Sequence, residues 1–225
     1  MSSRRIRPLT AADLALLPDP CTRCTFWESS LGDLATSSDH TDREQTKRDW
    51  AAAVTARWGY CGVMAVSDKE VIGFLTMAPA GFVPRLGAFA STPTSQDAAV
   101  VMSVRVVEEF QHKGIGRQLV QAAAGLAARR DIRALEAVGT YRDGPSCMLP
   151  ASWLQAVGFA VVRPHLVTPR LRMDLQTTLR WKPDLGAAWQ RLAGLVPQSA
   201  PPEPAGFEPA QRDTFPIGPP DPVRS

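Results

Sequence analysis

Cysteine and histidine are scarce in this sequence. Its 225 residues include four cysteines and three histidines. So few cysteines exclude a fold held together by disulfides, and we therefore expect reduced thiols and a cytoplasmic protein. The histidines are scattered and form no set of ligands, so the sequence predicts no metal site. Tyrosine is rarer still, because Tyr60 and Tyr141 are the only two, and this limits the phenol groups available for proton transfer.

Long apolar runs and a strong net charge are also missing. No segment approaches the roughly 18–20 consecutive apolar residues that a membrane helix needs. The basic start of the chain lacks the apolar stretch of a signal peptide. The formal net charge is +3, and no run of lysine or arginine dominates. We therefore expect neither nucleic acid nor a membrane as a partner, although a local basic site for a small anionic ligand fits this composition.

What is present is a regular series of strands and helices. Asp68 and Lys69 form a turn pair between two apolar runs, which predicts a hairpin. The segment Ala98–Val107 is apolar and β-branched throughout, as is typical of a strand buried on both faces. The predicted strands are Arg4–Leu9, Tyr60–Ser67, Glu70–Ala78, Ala98–Val107, Ala134–Gly139, Phe159–Arg163 and Leu171–Leu175. The predicted helices are Thr10–Leu17, Thr41–Arg57, Gly114–Arg129 and Pro150–Val157, and Pro79–Gln96 is predicted to be irregular.

The helix predicted at Thr41–Arg57 has two distinct faces. Trp50, Val54 and Trp58 recur every four residues and predict a buried stripe. This stripe is more typical of a hydrophobic core than of a cofactor site. The charged residues predict a solvated face, and they are Asp42, Arg43, Glu44, Lys47, Arg48 and Asp49.

The composition changes near residue 180. We divide the chain into a domain at residues 1–180 and a C-terminal segment at residues 181–225. That segment contains an amphipathic stretch, Asp184–Leu195, followed by a proline-rich tail that is predicted to be disordered. The amphipathic helix could dock on its own domain or bind a protein partner.

The most informative motif is the glycine-containing turn at Gln111–Arg117, between a buried strand and a helix. Gly114 and Gly116 have no Cβ, so a ligand can approach the backbone closely. The amides at the start of the helix have no intrahelical acceptor, and the helix dipole adds positive potential there. Lys113 and Arg117 add formal charge. These features predict a pyrophosphate site, while a strand–helix turn without a ligand is the alternative.

The same residues resemble a known family. The run Gln111-His112-Lys113-Gly114-Ile115-Gly116 is similar to the (Gln/Arg)-x-x-Gly-x-(Gly/Ala) motif of the GNAT superfamily of N-acetyltransferases. The acidic–aromatic pair Glu109-Phe110 precedes it, as it does in that family. The Gly-Phe pair at Gly158-Phe159, which ends a helix, also resembles the family. The order of elements from Arg4 to Leu175 agrees, so the resemblance covers about three quarters of the chain.

The resemblance implies the GNAT fold and acetyl-CoA as cosubstrate. That fold is of the α/β (α+β) class, with a single mixed, largely antiparallel sheet of about six to seven strands, a central splay and flanking helices. Acetyl-CoA would lie where Ala98–Val107 diverges from Ala134–Gly139. The backbone of Val104 and Val106 would pair with the pantetheine arm. The pyrophosphate would be bound at Gln111, His112, Lys113, Gly114, Ile115, Gly116 and Arg117.

The implied activity is transfer of an acetyl or short acyl group to a primary amine by direct attack. The acceptor would be a small molecule or a peptide, taken from the variable segments Cys21–Trp58 and Pro79–Gln96. A homodimer is a further expectation. The alternative is a catalytically weak module that binds CoA or another protein. This alternative arises because Leu154 occupies the position where many relatives carry a catalytic tyrosine.

The candidates for acid–base chemistry are four glutamates and one tyrosine. Glu136 is our first candidate for the base, because it interrupts an apolar strand that flanks the cleft. A carboxylate at the edge of the sheet is the alternative interpretation. Glu108, Glu109 and Glu28 are further candidates for the base. Tyr141 follows the strand end and is the candidate for the acid that protonates the leaving thiolate.

The pair Cys21-x-x-Cys24 has three interpretations. Packing is favoured, because zinc usually needs four ligands and a thioredoxin-type redox pair needs a following helix. Metal binding and redox chemistry remain the alternatives. The pair is followed by an aromatic residue, Trp27 and Glu28. This segment resembles a bacterial branch of the superfamily, in which it would lie near the acceptor side.

Overall fold

The strands form one mixed sheet in a computed structural model that describes residues 4–36, 40–142 and 147–175. The order across the sheet is β1-β2-β3-β4-β5-β8-β7, and a short β6 pairs with β5. The strands are β1 (Arg4–Leu9), β2 (Gly62–Ser67), β3 (Glu70–Pro79), β4 (Ala98–Val106), β5 (Ala134–Thr140), β6 (Leu149–Pro150), β7 (Ala160–Arg163) and β8 (Arg170–Asp174). The sheet thus has one short strand more than the six to seven predicted, because the two residues of β6 carry no readable pattern.

Four α-helices accompany the sheet within the described ranges. They are α1 (Leu31–Thr36), α2 (His40–Trp58), α3 (Ile115–Ala128) and α4 (Ala151–Ala156). The helix α1 was not predicted. The helix predicted at Thr10–Leu17 is instead a 3₁₀ helix at Ala11–Leu16, which begins where the Thr10 amide donates to the Asp13 carboxylate at 3.0 Å. The segment Pro79–Gln96, which was predicted to be irregular, contains two further 3₁₀ turns, Ala80–Phe82 and Pro84–Ala88.

The predicted hairpin is confirmed. The strands β2 and β3 pair antiparallel from Gly62↔Thr76 to Ser67↔Glu70. Asp68 and Lys69 join them with φ angles of 48° and 75°. Two consecutive positive φ angles are typical of the tight turn that matches the twist of a hairpin.

The central strand β4 is irregular in a way that bears on the site. It pairs antiparallel with β3, but the register shifts so that Met102 is an extra residue between the pairs Thr76↔Ser103 and Met77↔Val101. Such a bulge bends the strand and increases its local twist. The prediction of burial on both faces holds for the first half of β4, whereas Ser103 and Val104 are only half-buried.

The predicted splay lies between β4 and β5. These two strands run parallel, and their pairing covers Ala98↔Ala134, Ala99↔Leu135 and Val100↔Glu136. Beyond Val100 the described part of β5 pairs with β8 and β6 rather than with β4. The second half of β4 therefore presents a backbone edge without a neighbouring strand on this side.

Packing on the sheet comes mainly from α2 and α3. The predicted stripe of α2 is confirmed, because Trp50, Val54 and Trp58 are all buried. On α3, nine of fourteen residues are buried, and small alanines predominate among them. The buried Tyr60 hydroxyl donates to the Leu126 carbonyl at 2.8 Å and links α3 to the sheet. This phenol is therefore engaged in the core.

Some predictions fall beyond the described residues. The amphipathic helix at Asp184–Leu195, the tail and the boundary at residue 180 all lie outside the described ranges. Within those ranges, no helix combines the length and apolarity that crossing a membrane requires.

Candidate active site

The turn before α3 has the geometry of an anion site. His112 and Gly114 have φ angles of 57° and 76°, and Gly114 is the N-cap residue of α3. The backbone amides from His112 to Arg117 donate to no acceptor in the described part of the chain. A Cβ added at Gly114 would meet nothing within 4 Å. The turn is therefore open, and its amides are available to a phosphate.

The side chains of the turn fix its shape. The Gln111 amide nitrogen donates to the Val106 carbonyl at 3.1 Å, and the Lys113 ammonium donates to the Glu109 carbonyl at 2.8 Å. The Arg117 guanidinium donates to a carbonyl near the end of α4, that of Ala156, at 2.5 Å. Gln111, Lys113 and Arg117 are all exposed. The two cations keep positive charge beside the free amides.

The helix α4 closes one side of the turn. A Cβ on Gly116 would lie 3.1 Å from the ring of Trp153, so a larger residue would displace that ring. Ile115 is buried beneath the turn. Glycine at position 116 therefore permits the close approach of α4. Leu154 on the same helix is fully buried, and its side chain has no group that could transfer a proton.

A pocket opens beside the unpaired half of β4. Its cavity volume is about 30 Å³, and its mouth is open to solvent. Its walls combine β4, the N-terminal cysteine segment and α2. The lining residues are Pro20, Cys21, Cys24, Trp27, Glu28, Lys47, Phe74, Ser103, Val104, Arg105 and Cys147. The Cys21–Glu28 segment and Val104 thus line one pocket.

A buried ion pair forms one wall of this pocket. The Lys47 ammonium lies 2.5 Å from one carboxylate oxygen of Glu28, and both side chains are almost fully buried. Lys47 also donates to the Cys24 carbonyl at 3.1 Å. The second oxygen of Glu28 is buried and has no hydrogen-bond partner in the described part of the chain. Such an unsatisfied buried acceptor is costly unless a ligand or water meets it.

The position of Lys47 corrects a prediction. The sequence pattern assigned it to the solvated face of α2, whereas it is buried at the pocket. Although burial opposes the charged form, the Glu28 carboxylate raises the pKa of Lys47 above its usual range. The ion pair explains how a lysine can be buried within a face of charged residues. A buried charge is tolerated where an opposite charge compensates it.

Two thiols meet at the same pocket. The Sγ atoms of Cys24 and Cys147 are 2.8 Å apart, although 123 positions separate the residues in the sequence. The hydrogen bond from the Cys147 thiol lowers the pKa of Cys24 to about 6, and Lys47 adds to this effect against the opposing burial. The same hydrogen bond raises the pKa of Cys147 well above its usual range. The opposite directions of the two pKa shifts favour ionisation of Cys24 over that of Cys147.

Aromatic packing holds this segment in place. The Trp27 indole donates to the Cys147 carbonyl at 3.0 Å, and its ring lies 5.6 Å from that of Phe89. The Arg85 guanidinium stacks over Phe26 at 4.5 Å. The segment Pro79–Gln96 thus packs against the Cys21–Glu28 segment and positions the pocket wall.

The first candidate for the base, Glu136, lies in a different environment. Its side chain is fully buried, and its oxygens accept four hydrogen bonds: two from Ser95, at 2.6 and 3.1 Å, one from Arg170 at 2.6 Å and one from Arg172 at 3.2 Å. Arg172 also forms a paired contact with Asp97. Although burial opposes ionisation, the hydrogen bonds from Ser95 and Arg170 lower the pKa of Glu136. Glu136 is not among the pocket residues.

The other acid–base candidates are on the surface. Tyr141 follows β5 at the end that diverges from β4, and its side chain is 54% exposed. Glu108 and Glu109 are exposed in a 3₁₀ turn before the glycine loop. Neither Tyr141 nor these two glutamates line the pocket.

Sequence reasoning missed the partnership of Lys47 and Glu28. The two residues are nineteen positions apart and lie on different elements, so no local sequence pattern links them. The apolar neighbours Trp50 and Ala51 on α2 were the available signal. The described residues contain no group of three or more histidine, cysteine or carboxylate side chains arranged to bind a metal.

The chain matches a known protein family. The model of the Acetyltransferase (GNAT) family matches residues 24–147, which is more than half of the chain. The match includes the glycine turn, β4, β5 and both cysteines of the thiol pair. It confirms the resemblance at the level of the superfamily, and it does not favour the alternative of a non-catalytic module. No match is found among curated protein sequences.

Several solved structures are similar to this chain at low sequence identity. An N-acetyltransferase from Staphylococcus aureus Mu50 is 19% identical over 77% of this chain and 99% of its own, with a TM-score of 0.49. The PaiA N-acetyltransferase from Thermoplasma acidophilum, in complex with coenzyme A, is 16% identical over 76% and 99%, with a TM-score of 0.48. The ribosomal-protein-S18-alanine N-acetyltransferase from Escherichia coli is 12% identical over 77% and 94%, with a TM-score of 0.45.

Proposed function

The chain belongs to the Acetyltransferase (GNAT) family, and on this premise we propose that it transfers an acetyl or short acyl group to a primary amine by direct attack. The acceptor is a small molecule or a peptide. The observation that carries this proposal is the pocket beside β4, in which a buried carboxylate oxygen of Glu28 has no partner in the described part of the chain.

Acetyl-CoA is the cosubstrate of the family, and it supplies an activated acetyl thioester. The residues of this chain fit such a molecule. The amides from His112 to Arg117 donate to no acceptor in the described part of the chain and are available to a pyrophosphate, with Lys113 and Arg117 beside them. The backbone of Val104 and Val106 lies on the unpaired half of β4, where an extended pantetheine arm can add as a strand. Val104 leads directly into the pocket.

We assign the base to Glu28. An amine must lose its proton to attack a carbonyl carbon, and a carboxylate within hydrogen-bond reach can accept that proton. Lys47 holds one oxygen of Glu28 at 2.5 Å, which leaves the other oxygen for the amine. The ion pair also fixes the orientation of the carboxylate. This assignment selects the last of the sequence-based candidates over the first.

We assign Glu136 a structural role. All of its donors come from elements of the sheet and the preceding loop, so its oxygens have no remaining direction for a substrate. Its four hydrogen bonds tie β5 to β8 and to Ser95, just where β4 and β5 cease to pair. The cluster therefore fixes the width of the splay beside which the cosubstrate binds.

Tyr141 stays the proposed proton donor to the leaving thiolate. It follows β5 on the diverging side of the splay, and its exposed side chain is able to move. Among the described residues, its backbone amide donates to the Val167 carbonyl and its hydroxyl group has no hydrogen-bond partner.

Thermal unfolding followed by an acyl-transfer assay tests the proposed function. Acetyl-CoA should raise the melting temperature, because a ligand that binds the native state stabilises it. Release of free CoA thiol with a panel of amines should then identify acceptors. A thermal shift without thiol release from any amine would indicate a binding module, whereas no shift at all would contradict the site.

The C-terminal segment and self-association remain separate proposals. We propose that residues 181–225 bind a protein partner and that the domain at residues 1–180 forms a homodimer. Sedimentation of the full chain and of a chain ending at residue 180 tests the homodimer. A monomer in both preparations would contradict the homodimer.

A further inference from the structure

The pocket contains a chemical feature that acetyl transfer by direct attack does not use. Cys24 and Cys147 are both half-buried on the pocket wall, with their Sγ atoms 2.8 Å apart. This distance is shorter than an ordinary contact between two sulfur atoms that are not bonded. A small shift of either side chain would bring the sulfurs to bonding distance.

Independent contacts hold each cysteine at this meeting point. The Cys24 carbonyl accepts a hydrogen bond from Lys47, which is itself fixed by Glu28. The Cys147 carbonyl accepts a hydrogen bond from the Trp27 indole. The backbone on both sides is thus anchored to the same wall, so the two thiols approach each other in the resting fold.

The other two cysteines differ in ways that exclude them from the pair. Cys61 is fully buried beneath β1, its thiol donates to the Leu9 carbonyl at 3.5 Å, and burial raises its pKa to about 12. Cys21 lines the pocket, but burial raises its pKa, with Arg105 opposing the effect. Cys24 alone has a lowered pKa, and the thiolate is the reactive form of cysteine.

We propose that Cys24 and Cys147 are an oxidation site, and that they form a reversible disulfide across the acyl-transfer pocket. The oxidant is a low-molecular-weight disulfide, which can reach the pocket through its open mouth. The bond joins the N-terminal segment to the segment before α4. Both cysteines line the same pocket as Glu28 and Val104.

The reaction is a pair of thiol–disulfide exchanges. The Cys24 thiolate attacks one sulfur of the small disulfide, and the other half leaves as a thiolate. The Cys147 thiol then loses its proton to solvent and attacks Cys24 Sγ, which expels the second half as a thiolate. Two protein thiols are oxidised to one disulfide, and one small disulfide is reduced to two thiols.

The functional consequence rests on the proposed acetyl transfer. The disulfide removes the negative charge of Cys24 beside Lys47 and crosses the space in which the amine and the thioester would meet. Acetyl transfer should therefore stop on oxidation and resume on reduction. The formation of the bond itself does not depend on the proposed function.

Oxidised glutathione followed by peptide mapping tests the bond. Purified protein is incubated with oxidised glutathione, free thiols are blocked with iodoacetamide, and the digest is analysed by mass spectrometry without reduction. We expect a peptide pair joined through Cys24 and Cys147, which dithiothreitol separates. A bond between Cys21 and Cys24, or no bond while Cys24 stays open to iodoacetamide, would overturn the proposal.

Single substitutions identify the attacking and the resolving thiol. In Cys147→Ser the mixed disulfide with glutathione should accumulate on Cys24, because nothing resolves it. In Cys24→Ser, Cys147 should remain free. The matched control Cys61→Ser should behave like the wild type. A glutathione adduct on Cys147 in Cys24→Ser at the wild-type rate would contradict the assigned order.

An activity measurement separates this inference from the proposed function. The ratio of acetyl transfer after and before oxidation should fall at least tenfold in Cys61→Ser and recover with dithiothreitol. In Cys24→Ser the same ratio should stay near one. A disulfide that forms without changing this ratio overturns the inhibitory effect. A reduced protein that transfers no acetyl group contradicts the proposed function, while the oxidation site is judged by the peptide map alone.

Discussion

Two buried carboxylates, Glu136 and Glu28, have sharply different surroundings. Glu136 on β5 accepts four hydrogen bonds, and both of its oxygens are engaged. Glu28 in the N-terminal segment has one oxygen on Lys47 and one oxygen without a partner in the described chain. The first carboxylate is enclosed by its own fold, whereas the second borders a pocket.

This contrast shows what distinguishes a structural carboxylate from a catalytic candidate. Burial alone does not, because both side chains are almost fully buried. The deciding feature is whether hydrogen-bonding capacity is left over on a residue that lines the pocket. A fully satisfied carboxylate holds elements together, while an unsatisfied one is a site for a ligand.

Removing the charge of Glu28 should have the largest effect on catalysis. We expect Glu28→Gln to lower kcat by about 100-fold or more, since a positioned base contributes 10²–10⁴-fold. The affinity for acetyl-CoA should change little, because Glu28 lies away from the glycine turn. Steady-state kinetics and calorimetric titration measure the two quantities. The control is Glu44→Gln, which removes an exposed partner of Arg48 on the same helix as Lys47. Equal kcat values for Glu28→Gln and the control would contradict the assignment of Glu28 as the base.

Removing the charge of Glu136 should mainly affect stability. Glu136→Gln leaves Arg170 without its carboxylate, and breaking a buried ion pair typically costs about 3–5 kcal/mol. Denaturant unfolding measures this loss. Acetyl transfer per folded molecule should stay within about threefold of the wild type, because Glu136 touches no part of the pocket. A large fall in kcat with unchanged stability would reverse the assignments of the two glutamates.

The glycine turn allows a test that is independent of both carboxylates. Gly114 has a φ angle of 76°, so Gly114→Ala forces a residue with a side chain into the left-handed region at a cost of roughly 1–2 kcal/mol. The added methyl group meets no atom within 4 Å. We therefore expect the affinity for acetyl-CoA to fall about tenfold through backbone rearrangement. Gly81→Ala is the matched control, because its methyl group also meets nothing and its φ is not positive. Equal affinities in the two variants would contradict the amide site.

The proposed proton donor should contribute less. We expect Tyr141→Phe to lower kcat by about tenfold at most, since an exposed phenol competes with water for the leaving thiolate. The substitution removes one hydroxyl group and leaves the aromatic ring. Steady-state kinetics of both proteins check this. An unchanged kcat would eliminate Tyr141 as the acid.

The smallest effect is on the pH dependence of stability. The pKa of Glu136 in the folded protein lies below its ordinary value of 4.5. Its contribution is therefore fully present above that ordinary value and is lost as the pH falls further. The difference in melting temperature between wild type and Glu136→Gln should shrink below pH 4.5. A difference that stays constant on acidification would contradict the lowered pKa.

Most elements of the fold could be predicted from the sequence, because they carry local patterns. The hairpin turn at Asp68-Lys69, the apolar run of β4 and the glycine turn before α3 can all be recognised from neighbouring residues. The two-residue strand β6 and the short helix α1 have no such pattern. Their positions depend on contacts with distant parts of the chain.

The pocket wall was less predictable, since it combines residues that are distant in sequence. A glutamate that interrupts an apolar strand suggests a base, but Arg170 and Arg172 come from β8 and neutralise Glu136. Lys47 belongs to a run of charged residues, and only tertiary packing distinguishes it from its solvated neighbours. The approach of Cys24 to Cys147 likewise arises from the folded chain.

A crystal structure of the complex with coenzyme A would test the central claim most directly. The account predicts that the pyrophosphate accepts hydrogen bonds from the amides between His112 and Arg117, and that the thiol points along Val104 into the pocket of Glu28 and Cys24. A cofactor whose sulfur instead lies beside Glu136, or whose phosphates avoid the turn before α3, would contradict it.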